Sequence, residues 1–318
     1  MDVRLRDYGL TLDDVTRAPA AGQAAGDRPA AVLIAGPTAS GKSALALAIA
    51  REAGGVVINA DSMQVYGVLR VLTARPGVQE EVSAAHRLYG HVPPSQPYSV
   101  AQWLREVAAE IAAARSAGLL PVVVGGTGLY FKALVEGLSP IPEIDPDIRA
   151  RWRAAGECEP PAELHRLLAA RDPETAAALR PADRQRIVRA LEVLEATGRP
   201  LSTWQRLPGI PVLRLEETLP LVVSVERTEL YGRADARFVA MVGEGALEEV
   251  AALTALGLDI ALPAMRALGV APLARHLAGE LSLEAAVAAG QQETRHYIKR
   301  QLTWLRRYMI AWMAVSKK

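Results

Sequence analysis

One cysteine, Cys158, stands among 318 residues, so the chain can form neither an internal disulfide nor a cysteine-rich metal site. Long hydrophobic runs are also missing. The longest apolar candidates, around Ala31–Ala35 and Met309–Val315, are the size of core elements and fall well short of a bilayer span, so no membrane partner is expected. Residues 1–28 lack an apolar h-region and carry Asp2, Asp7, Asp13, Asp14 and Asp27, which argues against a secretory signal. The run Ala18–Pro29, mostly Ala, Gly, Pro and Gln, reads as a flexible lead-in, and 1–28 as a leader that the fold does not need. An excess of charge of either sign is absent as well: 36 Lys and Arg face 35 Asp and Glu, a net charge of +1. Asn59 is the only asparagine and Ala60 follows it, so the N-K-x-D signal for guanine cannot be present. A cytoplasmic location is expected.

What is present begins at Gly36–Ser43, GPTASGKS, a full match to the phosphate-cradling pattern G-x-x-x-x-G-K-[ST]. The apolar run Ala31–Ala35 before it predicts a buried strand. The strong helix formers Ala44–Ala50 after it predict a helix ending near Gly54-Gly55. In that setting Gly36, Pro37, Thr38, Ala39, Ser40, Gly41, Lys42 and Ser43 would wrap a polyphosphate or diphosphate. Backbone N–H groups, the helix N-terminus and the Lys42 ammonium would all face the anion. The Ser43 hydroxyl is placed to ligate Mg2+.

Strand and helix signals alternate over the first 140 residues. Val56–Asn59 and Val122–Val124 predict further buried strands. Ser99–Ala117 predicts a helix with Trp103, Val107, Ile111 and Ala114 on one face and Gly118 as its stop. Near-continuous apolar strands separated by helices indicate a parallel sheet covered on both faces, with the ligand crevice at the carboxyl ends of the strands. The loops Gly36–Ser43, Ala60–Gln64 and Gly125–Gly128 should therefore meet. From about Ser139 prolines punctuate short helical pieces. Among these Arg184–Thr197 is clear, capped by Asp183, with Ile187, Val188, Leu191 and Leu194 inward and Gly198 at its end. Leu221–Val225 predicts a strand that rejoins the sheet. The expected fold is α/β: a P-loop parallel sheet flanked by helices, with an inserted helical domain and a helical C-terminal region. Its parts would be the leader 1–28, the first part of the catalytic core 29–140, the insert 141–212, and the second part of the core 213–318.

Three groups could carry chemistry. Asp61 ends the second strand, where a carboxylate can cap a helix, hold Mg2+ through water, or accept a proton. Thr127 follows Gly125-Gly126, where phosphate-loop nucleotidases usually have an aspartate; its hydroxyl can reach a phosphate oxygen or cap the helix Leu129–Val135. Arg233 and Arg237 lie four apart on one helix face. Arg233 can pair with Glu229, or both can grip a phosphate. Residues 291–318 carry Arg295, Lys299, Arg300, Arg306, Arg307, Lys317 and Lys318 against Glu293 alone. On a helix Gln291–Tyr308 they form either a solvated face or a stripe for a nucleic-acid backbone.

These blocks, GPTASGKS, NADSMQVY, HRLYGHVPPSQPYSV, VVVGGTGLYFKALVEGLSP, PADRQRIVRALEV and KRQLTWLRR, together resemble the tRNA dimethylallyltransferase (tRNA isopentenyltransferase) family from about Ala31 to Tyr308. The resemblance implies transfer of a dimethylallyl group from dimethylallyl diphosphate to N6 of the adenosine just 3′ of the anticodon in tRNAs reading codons that begin with U. It implies Mg2+, a tRNA anticodon stem-loop as partner, and a monomer. Thr127 would bind the bridging oxygen of the leaving group, Arg237 with Arg233 would grip the diphosphate, and Asp61 would accept the N6 proton. The flipped base would pass Ser62, Met63 and Gln64. Further tRNA contacts are implied at Arg149, at Asp183, Arg184, Gln185, Arg186 and Ile187, and in the segment Arg266–Ala271. In that segment Arg266 and Gly269 match the family, while its usual aromatic and basic residues are replaced by Val270 and Ala271. A small-molecule kinase, an enzyme prenylating free adenine nucleotides, and a GTPase or non-catalytic RNA-binding module are the competing classes.

Overall fold

A computed structural model describes residues 3–17 and 28–317. The chain divides into two compact units. One joins the chain up to Val135 with the chain from Val212 onward; the other is Glu136–Pro211.

The first unit is built on a six-stranded sheet, β1 (Val32–Ala35), β2 (Gly55–Asn59), β3 (His86–Arg87), β4 (Leu120–Gly125), β5 (Leu219–Val223) and β6 (Met313–Val315). The strands lie in the order β3-β2-β4-β1-β5-β6, and every pairing is parallel. Side chains alternate between two apolar layers, as a two-sided parallel sheet requires. Val32, Ile34, Val122 and Val124 pack with Leu45, Ala46 and Ile49 of the helix Lys42–Ala53. Leu33, Ala35 and Val123 pack on the other side with Trp103, Val107 and Ile111 of the helix Val100–Ser116 and with Phe131 and Leu134 of the helix Gly128–Glu136. The register sets Ala35 beside Gly125 and Asn59 beside Val124, so the loops leaving β1, β2 and β4 are neighbours.

Two short edge strands escape the sequence pattern. β3 has two residues and β6 three, too few to show an alternation. The expected leader also differs in part. Leu5–Tyr8 and Leu12–Thr16 form helical turns, and Leu5, Tyr8, Val15 and the intervening Leu10 are buried in one cluster with residues of the helix Lys42–Ala53. The Leu5 N–H donates to Glu52 at 3.1 Å, and the Tyr8 hydroxyl donates to the Gly41 carbonyl at 3.0 Å. Burial at about 1.5–3 kcal/mol per large apolar side chain explains why this segment folds onto the core. Residues 18–27 of the expected lead-in lie outside the described residues.

The second unit is helical, with helices Pro146–Cys158, Pro161–Arg171, Pro173–Ala178, Arg184–Thr197 and Leu201–Gln205. Three of them begin on the prolines that punctuate the sequence, where the missing N–H costs nothing. Trp152, Leu164, Leu168, Ile187, Leu191 and Val193 fill its core. The unit starts five residues before the 141–212 boundary because its two ends pinch together at Gly137 and Gly209. A Cβ on Gly137 would stand 2.4 Å from the Ile210 nitrogen.

Candidate active site

The cradle Gly36–Ser43 follows β1 and enters the helix Lys42–Ala53 through Gly41, whose φ of +89° is the left-handed turn that glycine accommodates. Inside it the Ser40 N–H donates to the Pro37 carbonyl at 3.2 Å, and the Lys42 ammonium donates to the same carbonyl at 3.3 Å. The first-turn N–H groups of the helix are left for an anion. Burial lowers the Lys42 pKa to about 8; the Asp61 charge opposes that shift and the Arg237 charge adds to it. A bound diphosphate would restore the full positive charge. Burial lowers the Arg237 pKa as well, with Asp61 opposing.

Asp61 sits in a turn shaped by Asn59. The Asn59 side chain accepts the Asp61 N–H at 2.8 Å and donates to the Asp61 and Leu88 carbonyls, each at 3.0 Å. Asn59 is buried, and the Trp103 indole donates to its carbonyl at 2.8 Å. One Asp61 carboxylate oxygen accepts the Met63 N–H at 2.9 Å, while the other lies 3.4 Å from the position of a Cβ built on Gly126. Asp61 thus caps a turn, and its second oxygen faces the glycine loop after β4. The Thr127 hydroxyl accepts the Ser62 N–H at 3.0 Å and donates to the Ser62 hydroxyl at 3.3 Å. Asp61 and Thr127 are therefore joined through Ser62, and the Thr127 proton would turn from Ser62 to reach a ligand.

The long helix Leu283–Tyr308 supplies one wall. Its residues Tyr297, Gln301 and Trp304 recur at helical spacing on the face toward the β4 loop. The Gln301 Oε1 accepts the Thr38 N–H at 2.9 Å, and its Nε2 donates to the Gly126 carbonyl at 3.0 Å. A Cβ on Gly128 would lie 2.2 Å from the Trp304 ring. The Tyr297 hydroxyl lies beside Thr127 and Gln301, and burial together with the Asp61 charge pushes its pKa up. The same two causes raise Tyr89 and Tyr130.

A cavity of about 250 Å³ opens between these groups, lined by Thr38, Asp61, Ser62 and Met63 on one side and by Arg237, Phe238, Arg266, Tyr297 and Arg300 on the other. A second, of about 260 Å³, lies beyond the cradle against Ser43, Arg75, Glu80, Tyr89 and Arg237. Arg237 borders both. Arg233 borders neither; it is exposed and pairs with Glu229, the local alternative for this residue.

Other expected contacts fall in different places. Gln64 does not face the main cavity, because its amide donates to the Thr73 and Ala74 carbonyls at 2.8 and 2.9 Å and ties down the following loop. Gly269 is buried; its N–H donates to Glu293 at 3.1 Å, and a Cβ there would lie 2.7 Å from Phe238, so its task is close packing beneath the exposed Arg266. Val270, at the position of the family's aromatic residue, is in the core. In the helical unit Ile187 is fully buried among Trp152 and Leu168 and presents nothing to a partner. Gln185 and Arg186 are exposed, Arg186 beside Asp183. Arg184 donates to the Gly156 and Glu157 carbonyls, and Arg149 is half-buried. On the long helix Arg295 is held by Asp235 at 2.7 Å, which removes it from the expected stripe, whereas Lys299, Arg300, Arg306 and Arg307 are exposed.

For Mg2+ the donor set is sparse. The Ser43 hydroxyl is exposed toward the second cavity, and among the described residues no group of three or more His, Cys, Asp or Glu could hold a metal. One open hydroxyl beside an anion cradle fits an ion that takes its other ligands from phosphate oxygens and water, as Mg2+ does.

Sequence reasoning missed Asn59 as a shaping residue, Gln301 and Tyr297. It also missed Glu249, whose carboxylate accepts the N–H groups of Arg70, Val71 and Leu72 at 2.8, 2.6 and 3.0 Å and so fixes a loop bordering the main cavity. The separation of 178 residues between Glu249 and Val71 leaves no local signal.

The family model described as IPP transferase matches residues 64–308, and that described as isopentenyl transferase matches residues 29–92. A tRNA dimethylallyltransferase of Azorhizobium caulinodans is 56% identical over 286 residues, covering 90% of this chain and 92% of its own. One from Parvibaculum lavamentivorans is also 56% identical and covers 90% of each chain. Among solved structures, the full-length tRNA isopentenylpyrophosphate transferase of Bacillus halodurans is 31% identical with a TM-score of 0.64, covering 90% of this chain and 89% of that one. A eukaryotic dimethylallyltransferase acting on tRNA is 26% identical with a TM-score of 0.78, covering 91% and 74%. With sequence identity of this extent spread over a cradle, an acidic turn and a helical insert, the chain belongs to the IPP transferase family, among the tRNA dimethylallyltransferases.

Proposed function

We infer that the protein transfers a dimethylallyl group from dimethylallyl diphosphate to N6 of the adenosine 3′-adjacent to the anticodon, in tRNAs reading codons that begin with U. Asp61 and Arg237 facing one cavity, with the Lys42 ammonium of the cradle close enough to feel both charges, carries this reading. The C1–O bond of the prenyl diphosphate breaks as the N6–C1 bond forms, and pyrophosphate leaves. Negative charge grows on the departing oxygens, where the cradle amides, Lys42 and Arg237 stabilise it most at the transition state. The Thr127 hydroxyl serves the bridging oxygen. An exocyclic amine is not acidic, but its proton becomes labile as nitrogen bonds to carbon, so Asp61 needs position more than basicity. The target base leaves the RNA stack to enter the cavity, and Met63 and Ser62 line its path. Mg2+ bound at Ser43 would neutralise diphosphate charge.

The test uses purified protein, labelled dimethylallyl diphosphate and an unmodified anticodon stem-loop. Label in the RNA, abolished by EDTA and restored by Mg2+, supports the reading. Preferential labelling of AMP points instead to nucleotide prenylation, and phosphoryl transfer from labelled ATP to a small molecule points to a kinase; either result overturns it.

A further inference from the structure

We propose that Gln301 is a positioning residue that locks the diphosphate cradle to the Thr127 loop, so that the leaving group and its hydrogen-bond donor are held in register. Its carboxamide is buried and spans two loops from opposite ends: Oε1 takes the Thr38 N–H at 2.9 Å, and Nε2 gives a proton to the Gly126 carbonyl at 3.0 Å. Only one orientation satisfies both contacts, because Thr38 offers a donor and Gly126 an acceptor. The site is shaped to admit this amide. A Cβ on Gly126 would stand 2.4 Å from Nε2, so glycine there leaves the space the side chain occupies. Trp304, one turn on, presses on Gly128, and Tyr297, one turn back, lies beside Thr127, so Gln301 is the polar centre of a helix face that covers this loop.

The Thr38 N–H is committed to Gln301 and is not a donor to the anion; it anchors the apex of the cradle while the first turn of the helix binds. The cradle holds the diphosphate and Thr127 holds its bridging oxygen. Their separation is set by no covalent link shorter than the whole path from β1 to β4. A shift of about 1 Å between such groups suffices for a 10²-fold loss of rate.

This inference rests on the prenyl-transfer reading. The experiment compares wild type with Gln301→Met, which keeps shape and loses both bonds, and Gln301→Glu, which can still accept from Thr38 but as a carboxylate cannot donate to Gly126. Both variants should lower kcat for prenyl transfer roughly 10- to 100-fold. Pyrophosphate Kd and anticodon stem-loop Kd should stay close to wild type, and the thermal midpoint should fall by only a few degrees, leaving both variants folded at the assay temperature. Equal kcat in wild type and Gln301→Met sinks the proposal. A raised stem-loop Kd with kcat intact makes Gln301 an RNA contact, and activity lost in step with the folded fraction makes it a packing residue; each overturns it. Wild type that transfers no prenyl group to RNA defeats the underlying reading instead.

Discussion

The two glycine loops of the site, Gly36–Ser43 and Gly125–Gly128, both come at the end of a buried parallel strand; the first reaches the main cavity through Thr38, the second only through Ser62, to which Thr127 is hydrogen-bonded. Glycine serves them differently. Gly41 is needed for conformation: it holds φ at +89°, and a Cβ there would meet only the Tyr8 hydroxyl, at 3.0 Å. Gly125, Gly126 and Gly128 are needed for space. A Cβ on Gly125 would lie 2.0 Å from the Ala60 carbonyl oxygen, one on Gly126 would run into Gln301, and one on Gly128 into Trp304. The first loop is shaped by its own residues so that an anion can enter. The second is shaped by what packs on it from the β2 turn and the long helix, so that Thr127 and Asp61 come together. A motif search finds the first kind of loop; only neighbours distant in sequence explain the second.

The sharpest break is Lys42→Ala, which removes the cation of the anion loop without touching the spacing loop. It should lower kcat/KM for dimethylallyl diphosphate roughly 10³-fold and leave stem-loop binding intact, as steady-state kinetics and a filter-binding assay would show. Asp61→Asn and Thr127→Ala act on the other side of the contrast. Each should reduce turnover by about 10²-fold with tRNA affinity little altered; wild-type turnover in both would mean that the proton acceptor and leaving-group donor lie elsewhere. Gly125→Ala tests the spacing claim directly. Its methyl group meets backbone that cannot rotate away, so urea denaturation should report a loss of about 1–3 kcal/mol, with the catalytic defect following from a displaced Asp61 turn. The smallest effect belongs to Gly54→Ala, at the end of the cradle helix. There φ is +66° with no atom within 4 Å of the new Cβ, so only the conformational cost of about 1 kcal/mol should appear, with activity unchanged.

The basic residues repeat the lesson. The sequence shows a run of cations from Arg295 to Arg307, but it does not show which are already occupied. Asp235 holds Arg295 from 60 residues away, while Lys299, Arg306 and Arg307 remain exposed. In the helical unit Ile187 sits in a block where the family resemblance implies tRNA contacts, yet the helical period turns it into the core beside the exposed Gln185 and Arg186. Motif membership assigned the block; the 3.6-residue repeat decides which of its members can touch a partner.

What the sequence determined alone is what short-range physics writes into adjacent residues. That covers the buried strands β1, β2, β4 and β5, the capped helices Val100–Ser116 and Arg184–Thr197, the cradle, and a set of blocks specific enough to point to a reaction. Tertiary structure decided the rest. It folded residues 3–17 onto the cradle helix, set Asn59 to shape the Asp61 turn, and brought Gln301 across 263 residues to Thr38 and 175 to Gly126. Such contacts leave no period and no local propensity, because each depends on the shape of a partner that the chain reaches only after the sheet has formed.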